Sequence, residues 1–514
     1  MIAFALIAHS QITFQKTYGY GRAYSVQQIN NGYVIAGTIY DTITISDNFY
    51  LVVTDFNGDT IWTKSFDSGF QDGGFSVQQT SSGEYIISGY SDTLNSFAGA
   101  VSLAKTDVNG NLLWFKTYPG FNNNSGLYCV SCVNQTSDGG YILGGSGYGM
   151  DMSLIKTDSS GNLTWSKTFS LVDHEQSGSF VQQTSDGGYI ITGHSSYFGS
   201  GPPDLYLIKT DSAGNIIWSK TFGGANYDKG YSVLQTTDGG YIVCGESASF
   251  GSNAEVFLIK TNDIGNVLWS KTYHSVNSYS EGYSIQQTND GGYIITGSIY
   301  FFGNYDHVYL IKTDINGDLL WSRAFGSGAW NDEGYSVQQT SDGGYIITGS
   351  EGATGSNYLI KTDSMGNSGC NQSNITTAVT AVSPQVTNQT PTVYTGGSIT
   401  APVIVIGSNG GVNTLCFNNT TGLSEMSLDA NSISISPNPF SNSTTISFSL
   451  SQSQKVSLKI FDMNGRLVST LKDKFFEAGE NELVWSSAEV NAGIYFFQLQ
   501  SAETLKTEKL VVTK

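Results

Sequence analysis

The sequence predicts an all-β chain: a seven-bladed β-propeller of four-stranded blades, its ring closed by the N-terminal strand, followed by a small immunoglobulin-like β-sandwich. Three observations carry this. A phrase written SDGGYIITGS at 341–350 recurs, slightly varied, through the first 350 residues. Trp62, Trp114, Trp165, Trp218, Trp269 and Trp321 stand 51 to 53 residues apart. Residues 431–514 break into short runs of alternating apolar and polar residues, as half-buried strands do.

Each repeat reads as four strands, of the form GYSVQQT, GGYIITGS, YLIKTD and GNIIWSKTFGG. Two tight turns join them in pairs. The x-Asp-Gly-Gly turn supplies glycine where a hairpin needs positive φ, and the Asp-x-x-Gly-Asn turn adds a side-chain oxygen that caps it. The motif tyrosine occurs seven times, at Tyr33, Tyr85, Tyr141, Tyr189, Tyr241, Tyr293 and Tyr345, one more than the tryptophans. That mismatch locates the closure. The last repeat stops at YLIKTDSMGN without a fourth strand, while the chain opens on a spare one, ITFQKTYG, with Phe14 in the tryptophan's place. Residues 12–18 are therefore expected to complete the last blade, since an open ring would leave strand edges unpaired. The repeated Trp is read as packing between blades; a ring of ligand-stacking platforms is the competing reading.

Composition narrows the partners. The 514 residues carry a net charge of −19 with only 23 basic side chains, and Arg22, Arg323 and Arg466 are the sole arginines. No basic groove for nucleic acid is expected. Five cysteines are too few and too scattered for a disulfide framework: Cys129 and Cys132 form a lone CxxC without a second ligand pair, and Cys370 and Cys416 bracket a late segment that an oxidising compartment would allow them to close. The four propeller histidines show no metal-ligand spacing, so no metal or other cofactor is expected, with calcium the weaker alternative. The opening MIAFALIAHSQ looks like a signal peptide (1–10) lacking its basic front, an ordinary strand being the other reading. No apolar run is long enough for a transmembrane helix.

Candidate binding residues follow from topology. The two short turns of every blade fall on one rim, and the connections of variable length fall on the other, where recognition is expected. Those variable loops hold Tyr227, Phe198, Tyr305, His307 and Trp330, and aromatic faces beside Asn and Asp suit sugars. Trp330 leads because it alone of the propeller tryptophans stands outside the packing register. Acidic residues before the first strands, Asp72, Asp228, Glu281, Asp332 and Glu333, recur from blade to blade, and recurrence points to loop capping. A single active site should break the repeat.

The stretch KTDSAGNIIWSK at 209–220 resembles the repeats of quinoprotein dehydrogenases and outer-membrane assembly propellers, and TSDGGY resembles part of the sialidase Asp-box. Both resemblances concern turn geometry. The adjacent cysteines of the one and the three-arginine clamp of the other are absent, so neither activity carries over.

Beyond the propeller (11–369), residues 370–430 are rich in Thr, Ser, Asn and Val, with the composition of an extended spacer. In 431–514, ISPNPF (Pro437, Asn438, Pro439), KIFDMNGRLV (Asp462, Gly465), GIYFFQL (Gly493, Tyr495) and a terminal KLVVTK ending at Lys514 resemble the type A C-terminal sorting domain of the Bacteroidetes type IX secretion system. The resemblance implies passage through the type IX secretion machinery to the outer cell surface or medium, with attachment to surface lipopolysaccharide as one fate. The expected payload is a non-catalytic binding or adhesion propeller whose ligand is an extracellular glycan or protein. The alternatives are a polysaccharide lyase or glycosidase, or a structural surface-layer component.

Overall fold

The computed structural model describes residues 11–69, 71–91, 100–118, 132–146, 151–171, 174–197, 202–301, 305–326, 330–394, 404–407, 411–420, 433–450, 453–462, 467–477, 479–486, 488, 490–500 and 505–513. Among them every regular element is a β-strand. The chain divides into two compact units, Ile12–Asn418 and a second made of Met1–Gln11 with Asn419–Lys514.

The first unit holds seven antiparallel sheets, numbered here 1 (23–67), 2 (72–118), 3 (132–170), 4 (174–223), 5 (228–274), 6 (278–325) and 7 (333–362 with Gln11–Tyr20). The first strand of each sheet touches the first strands of its two neighbours, and that of sheet 7 touches that of sheet 1, so the sheets close a propeller ring. The N-terminal strand Gln11–Tyr20 lies antiparallel on Ser356–Thr362, with Phe14 opposite Lys361. That register reproduces Trp165 opposite Lys156 and Trp218 opposite Lys209.

The repeated residues prove to be the contacts between sheets. Each Trp packs on the motif Tyr of the next sheet with ring centroids 5.8–6.3 Å apart, and Phe14 packs on Tyr33 at 6.3 Å. The indole also covers the hairpin glycine of that next sheet. Gly265 has φ +73°, and a Cβ there would lie 2.9 Å from the Trp218 ring. Only glycine meets both demands. The lysine two places after the Trp reaches the same hairpin, as in Lys271 to Asp318 at 2.6 Å and Lys16 to Asp59 at 2.5 Å. Around the inner edge, Gln27, Gln78, Gln182, Gln286 and Gln338 each accept a hydrogen bond from a backbone N–H of the following sheet at 2.5–2.6 Å.

Within a sheet, the KTD lysine and the DGG aspartate are partners. Lys156, Lys209, Lys260, Lys312 and Lys361 are buried, and their ammonium groups lie 2.8–2.9 Å from Asp138, Asp186, Asp238, Asp290 and Asp342. Burial pushes these carboxyls up. Hydrogen bonds from the lysine and from the threonine opening the turn outweigh it, and hold Asp138, Asp186 and Asp238 down at about 2. A lysine buried without its aspartate would leave an uncompensated charge, so the two motifs must travel together.

The segment expected as a spacer is part of the ring. Gln372–Asn374 pairs with the outer strand of sheet 6, Ala378–Ala381 with sheet 5, Gln385–Asn388 with sheet 4, Thr392–Tyr394 with sheet 3, Val405–Gly407 with sheet 1 and Val412–Thr420 with sheet 7. The chain thus runs backwards round the rim and lends a fifth strand to six of the seven sheets; sheet 2 has none among the described residues. Serines following the tryptophans hold it, with Ser219, Ser270 and Ser322 donating to the carbonyls of Gln389, Val382 and Ile375 at 2.8, 2.6 and 2.9 Å. A disulfide joins Cys370 to Cys416, so the belt is a covalent hoop around the ring. Composition hid this because three- and four-residue strands whose partners lie elsewhere leave no alternation to read.

In the second unit, one sheet of three strands (Ile433–Ser436, Ser443–Leu450, Gly479–Ser486) and one of four (Leu467–Phe476, Gln454–Asp462, Gly493–Gln500, Leu505–Val512) share a core that includes Phe440, Phe448, Ile460, Trp485, Tyr495, Phe497 and Leu510. Residues 1–10, the expected signal peptide, lie outside the described residues.

Opening the Cys370–Cys416 bridge releases a loop spanning 46 residues. Chain entropy sets the expected loss at about 4 kcal/mol. Denaturant unfolding of the oxidised protein against the Cys370→Ser, Cys416→Ser double variant measures it, and coincident curves would show that the hoop carries no stability.

Candidate functional site

The variable-loop rim brings together some of the expected binding residues and separates others. Tyr305 and Trp330 come from different connections yet stack with centroids 6.4 Å apart and planes inclined by 29°, and they remain 44% and 54% exposed. Backbone holds them there. The Asp306 N–H donates to Asn331 Oδ1 at 3.1 Å, and the Asp332 N–H donates to the Asp306 carbonyl at 2.9 Å. His307 follows on the same strand, half-buried beside Phe301, and burial lowers its pKa. Tyr227 belongs to a different part of the rim, where the Lys229 ammonium lies 5.1 Å from its ring centre. Phe198 lies outside the described residues.

The recurring acids split into two classes. Asp72, Asp228 and Asp332 are fully buried and cap loops: Asp72 and Asp228 accept from the N–H groups of Ser68 and Gly224 in the connections entering their strands at 2.7 and 2.9 Å, and Asp332 accepts from the N–H of Gly352, just past the second strand of its sheet, at 2.9 Å. Loop capping was the expected role for them. Glu281 and Glu333 stand one register later, two residues before the strand aromatic, and they face a different environment.

In that register the ring carries Lys229 in sheet 5, Glu281 in sheet 6, Glu333 in sheet 7 and Arg22 immediately before the first strand of sheet 1. Beneath them the strand aromatics form a connected arc: Phe75 to Tyr24 at 4.8 Å, Tyr24 to Tyr335 at 5.0 Å, Tyr335 to Tyr283 at 5.8 Å and Tyr283 to Tyr231 at 5.4 Å. These residues sit on the innermost strands, surrounded by protein, yet each keeps partial solvent exposure, so they line an axial recess. Glu246, at the end of the second strand of sheet 5, completes the group. It is 2% exposed and accepts from Lys229 Nζ and the Tyr231 hydroxyl, both at 2.7 Å. The Tyr283 hydroxyl donates to Glu281, and that of Tyr335 to Glu333.

Burial and the neighbouring Glu246 charge push the Glu281 carboxyl well above the ordinary carboxylate range, and its hydrogen bond with Glu246 raises it further. Glu281 therefore keeps its proton into the range where an ordinary glutamate has lost it. Tyr231, Tyr283 and Tyr335 are raised by burial and by the same carboxylates, which keeps them hydroxyl donors. The sequence signal for this site was present. Reading the acids one register apart would have separated Glu281 and Glu333, with the oppositely charged Lys229 and Arg22, from the recurring aspartates.

In the second unit the motif residues meet. Asn438 Oδ1 accepts from the Val511 N–H at 2.8 Å, and the Phe440 N–H donates to the Val511 carbonyl at 3.0 Å, so the ISPNPF segment docks on the terminal strand. Pro437 and Pro439 both follow cis peptide bonds, Gly493 pairs with Val512, and the Tyr495 hydroxyl donates to the Asn491 carbonyl at 2.9 Å. Asp462 ends the strand Gln454–Asp462; Gly465 and Lys514 lie outside the described residues.

Residues 434–513 match the family model of the secretion system C-terminal sorting domain. This segment is a type IX sorting domain. The sorting domain marks the chain for export to the cell surface or medium and implies the type IX machinery as a partner. Among the described residues no helix is long and apolar enough to cross a membrane. No curated protein matches the sequence. Among solved structures, PorZ, described as an essential bacterial surface component of the type IX secretion system of Porphyromonas gingivalis, aligns over 96% of this chain and 70% of its own at 10% identity and TM-score 0.37. An α-L-arabinanase of Penicillium chrysogenum aligns over 56% of this chain and 92% of its own at 10% identity and TM-score 0.38. An endo-1,5-α-L-arabinanase of Thermotoga petrophila aligns over 67% and 99% at 11% identity and TM-score 0.25.

The proton on Glu281 gives a pH signature. Below the ordinary Glu pKa of about 4.5 both folded and unfolded chains hold it. Above that, only the folded chain does, so Glu281 costs stability progressively as pH rises towards its raised folded value. Glu281→Gln removes the cost. The variant should match the wild-type melting temperature near pH 4 and exceed it increasingly towards pH 8; parallel profiles would show that folding does not raise the Glu281 carboxyl.

Proposed function

We propose that this is an exported surface protein which binds an extracellular glycan, without catalysis, on the variable-loop rim of a seven-bladed propeller, and that its sorting domain is an immunoglobulin-like sandwich. The Tyr305–Trp330 stack carries this reading. Two large aromatic side chains are half-exposed yet fixed against each other by a backbone and a side-chain hydrogen bond between their loops. Such a preformed face presents a flat apolar surface to a sugar ring at little ordering cost, and the adjacent Asp306 and Asn331 offer polar groups for hydroxyls. Attachment to surface lipopolysaccharide would hold the rim at the cell exterior.

The second reading is a glycosidase on the same scaffold, favoured by the axial carboxyls. Glu246 is tied to Lys229 Nζ and the Tyr231 hydroxyl, and Glu281 to the Tyr283 hydroxyl, which supports holding a ligand in place over the free acid and base that a glycosidase needs.

On a glycan array, the wild-type protein should retain a defined set of glycans that Trp330→Ala binds at least about fivefold more weakly, the loss of one stacked ring being worth roughly 1 kcal/mol or more. Soluble polysaccharide recovered from the protein should keep its length on size-exclusion chromatography. Shortened product would establish the enzyme, and silence on the array with self-association in solution would establish a surface-layer role. Replacing the last six residues should leave the protein inside the cell, as detected by fractionation.

A further inference from the structure

The axial recess is a different place from the rim stack, and its charge balance is unusual. Among its described residues, three carboxyls, Glu246, Glu281 and Glu333, face two permanent cations. Lys229 is committed to Glu246 at 2.7 Å, and Arg22 lies beside Tyr24, Tyr335 and Glu333, with the Asp47 carboxylate also near it. Glu281 forms no ion pair with either cation among the described residues, and burial together with the Glu246 charge outweighs the pull of Lys229 and raises its carboxyl. The three acids do not gather into a set that could share one metal ion. What surrounds Glu281 is aromatic: Tyr283 donates to it, and the Tyr231 and Tyr335 rings flank Tyr283. Phenols that donate to carboxylates have electron-rich faces, which attract cations.

A second observation points the same way. His194 occupies in sheet 4 the strand position that Glu246 holds in sheet 5, immediately after the glycine of the GGYIITG motif. Its Nδ1 is buried and lacks a hydrogen-bond partner. Burial and the Lys229 charge depress the imidazole to about 4, so it is neutral and able to accept a proton-donating group. A buried polar atom without a partner carries a desolvation penalty that a ligand can relieve.

We propose that the axial recess is a binding site for a ligand presenting a primary ammonium group, which lodges against Glu281 and the tyrosine faces. The ammonium supplies positive charge and donates to Glu281, and the unpaired His194 nitrogen offers an acceptor to a further donor of the same ligand. Its arrival makes the ionised form of Glu281 favourable, so binding near neutral pH releases the proton that Glu281 held. An amino sugar with a free amine and a lysine side chain both carry this group.

Isothermal titration of the full chain at 0.15 M salt and pH 7 tests the assignment. The probes are a deacetylated chito-oligosaccharide against its N-acetylated counterpart of the same length, and a capped lysine peptide against its acetyl-lysine form. The amine form of at least one pair should bind at least tenfold more tightly than its acetylated partner, and which pair responds identifies the source. The lysine amine is fully protonated at pH 7, so proton release by Glu281 appears as a dependence of the heat on buffer ionisation in that arm. Glu281→Gln should lower affinity at least tenfold and abolish any such dependence, and Glu333→Gln should weaken binding as well, with melting temperatures showing both variants folded. Equal binding of amine and acetylated forms, no binding by either class, or an unchanged Glu281→Gln titration would overturn the proposal.

Discussion

A four-stranded sheet of this repeat is apolar on both faces and can bury neither alone. The structure depends on each sheet finding the next, and the contact that decides this is the indole laid over a neighbour's hairpin glycine and motif tyrosine. The contact demands a large flat side chain on one sheet and a residue without a side chain, in positive φ, on the other. Buried lysine–aspartate pairs and glutamine bonds along the inner edge follow the same period because each unit must satisfy the same polar groups in the same place. Near-identity of the repeats is therefore a packing requirement that closes only when the seventh sheet meets the first, and Phe14 performs there the part that tryptophan performs elsewhere.

The hoop answers a weakness of that design. A ring built from like sheets has seven similar seams, and a seam that opens exposes a whole apolar face. A belt that pairs with the outer strands and is joined end to end by Cys370 and Cys416 ties most of the sheets to their neighbours through one covalent loop. It also occupies outer edges that would otherwise offer unpaired backbone to other chains, a hazard for a protein bound for a crowded surface.

Symmetry and function part company at the axis and on the rim. Where the fold needs the same residue in each sheet, the sequence repeats; two residues before the inner aromatics it does not, and Lys229, Glu281, Glu333 and Arg22 stand side by side at four successive sheets. Their consequences depend on one another. Lys229 holds Glu246 in place, and the Glu246 charge together with burial raises Glu281, which forms no ion pair of its own among the described residues.

The sequence by itself determined the period, the four-strand unit, the closing role of the first strand and the export tail. Each of these is written in local spacing: Trp every 51 to 53 residues, glycines at fixed turn positions, Asn438 and the terminal strand in a fixed order. Tertiary structure alone decided the rest. The belt was read as a spacer because its strands borrow their partners from sheets up to 300 residues away or more, as Val405–Gly407 does from Thr60–Asp67. Glu281 and Glu333 were grouped with Asp72, Asp228 and Asp332 because a one-residue offset looks trivial along the chain; in a strand, where successive side chains point to opposite faces, it separates a buried loop cap from a group on the axis.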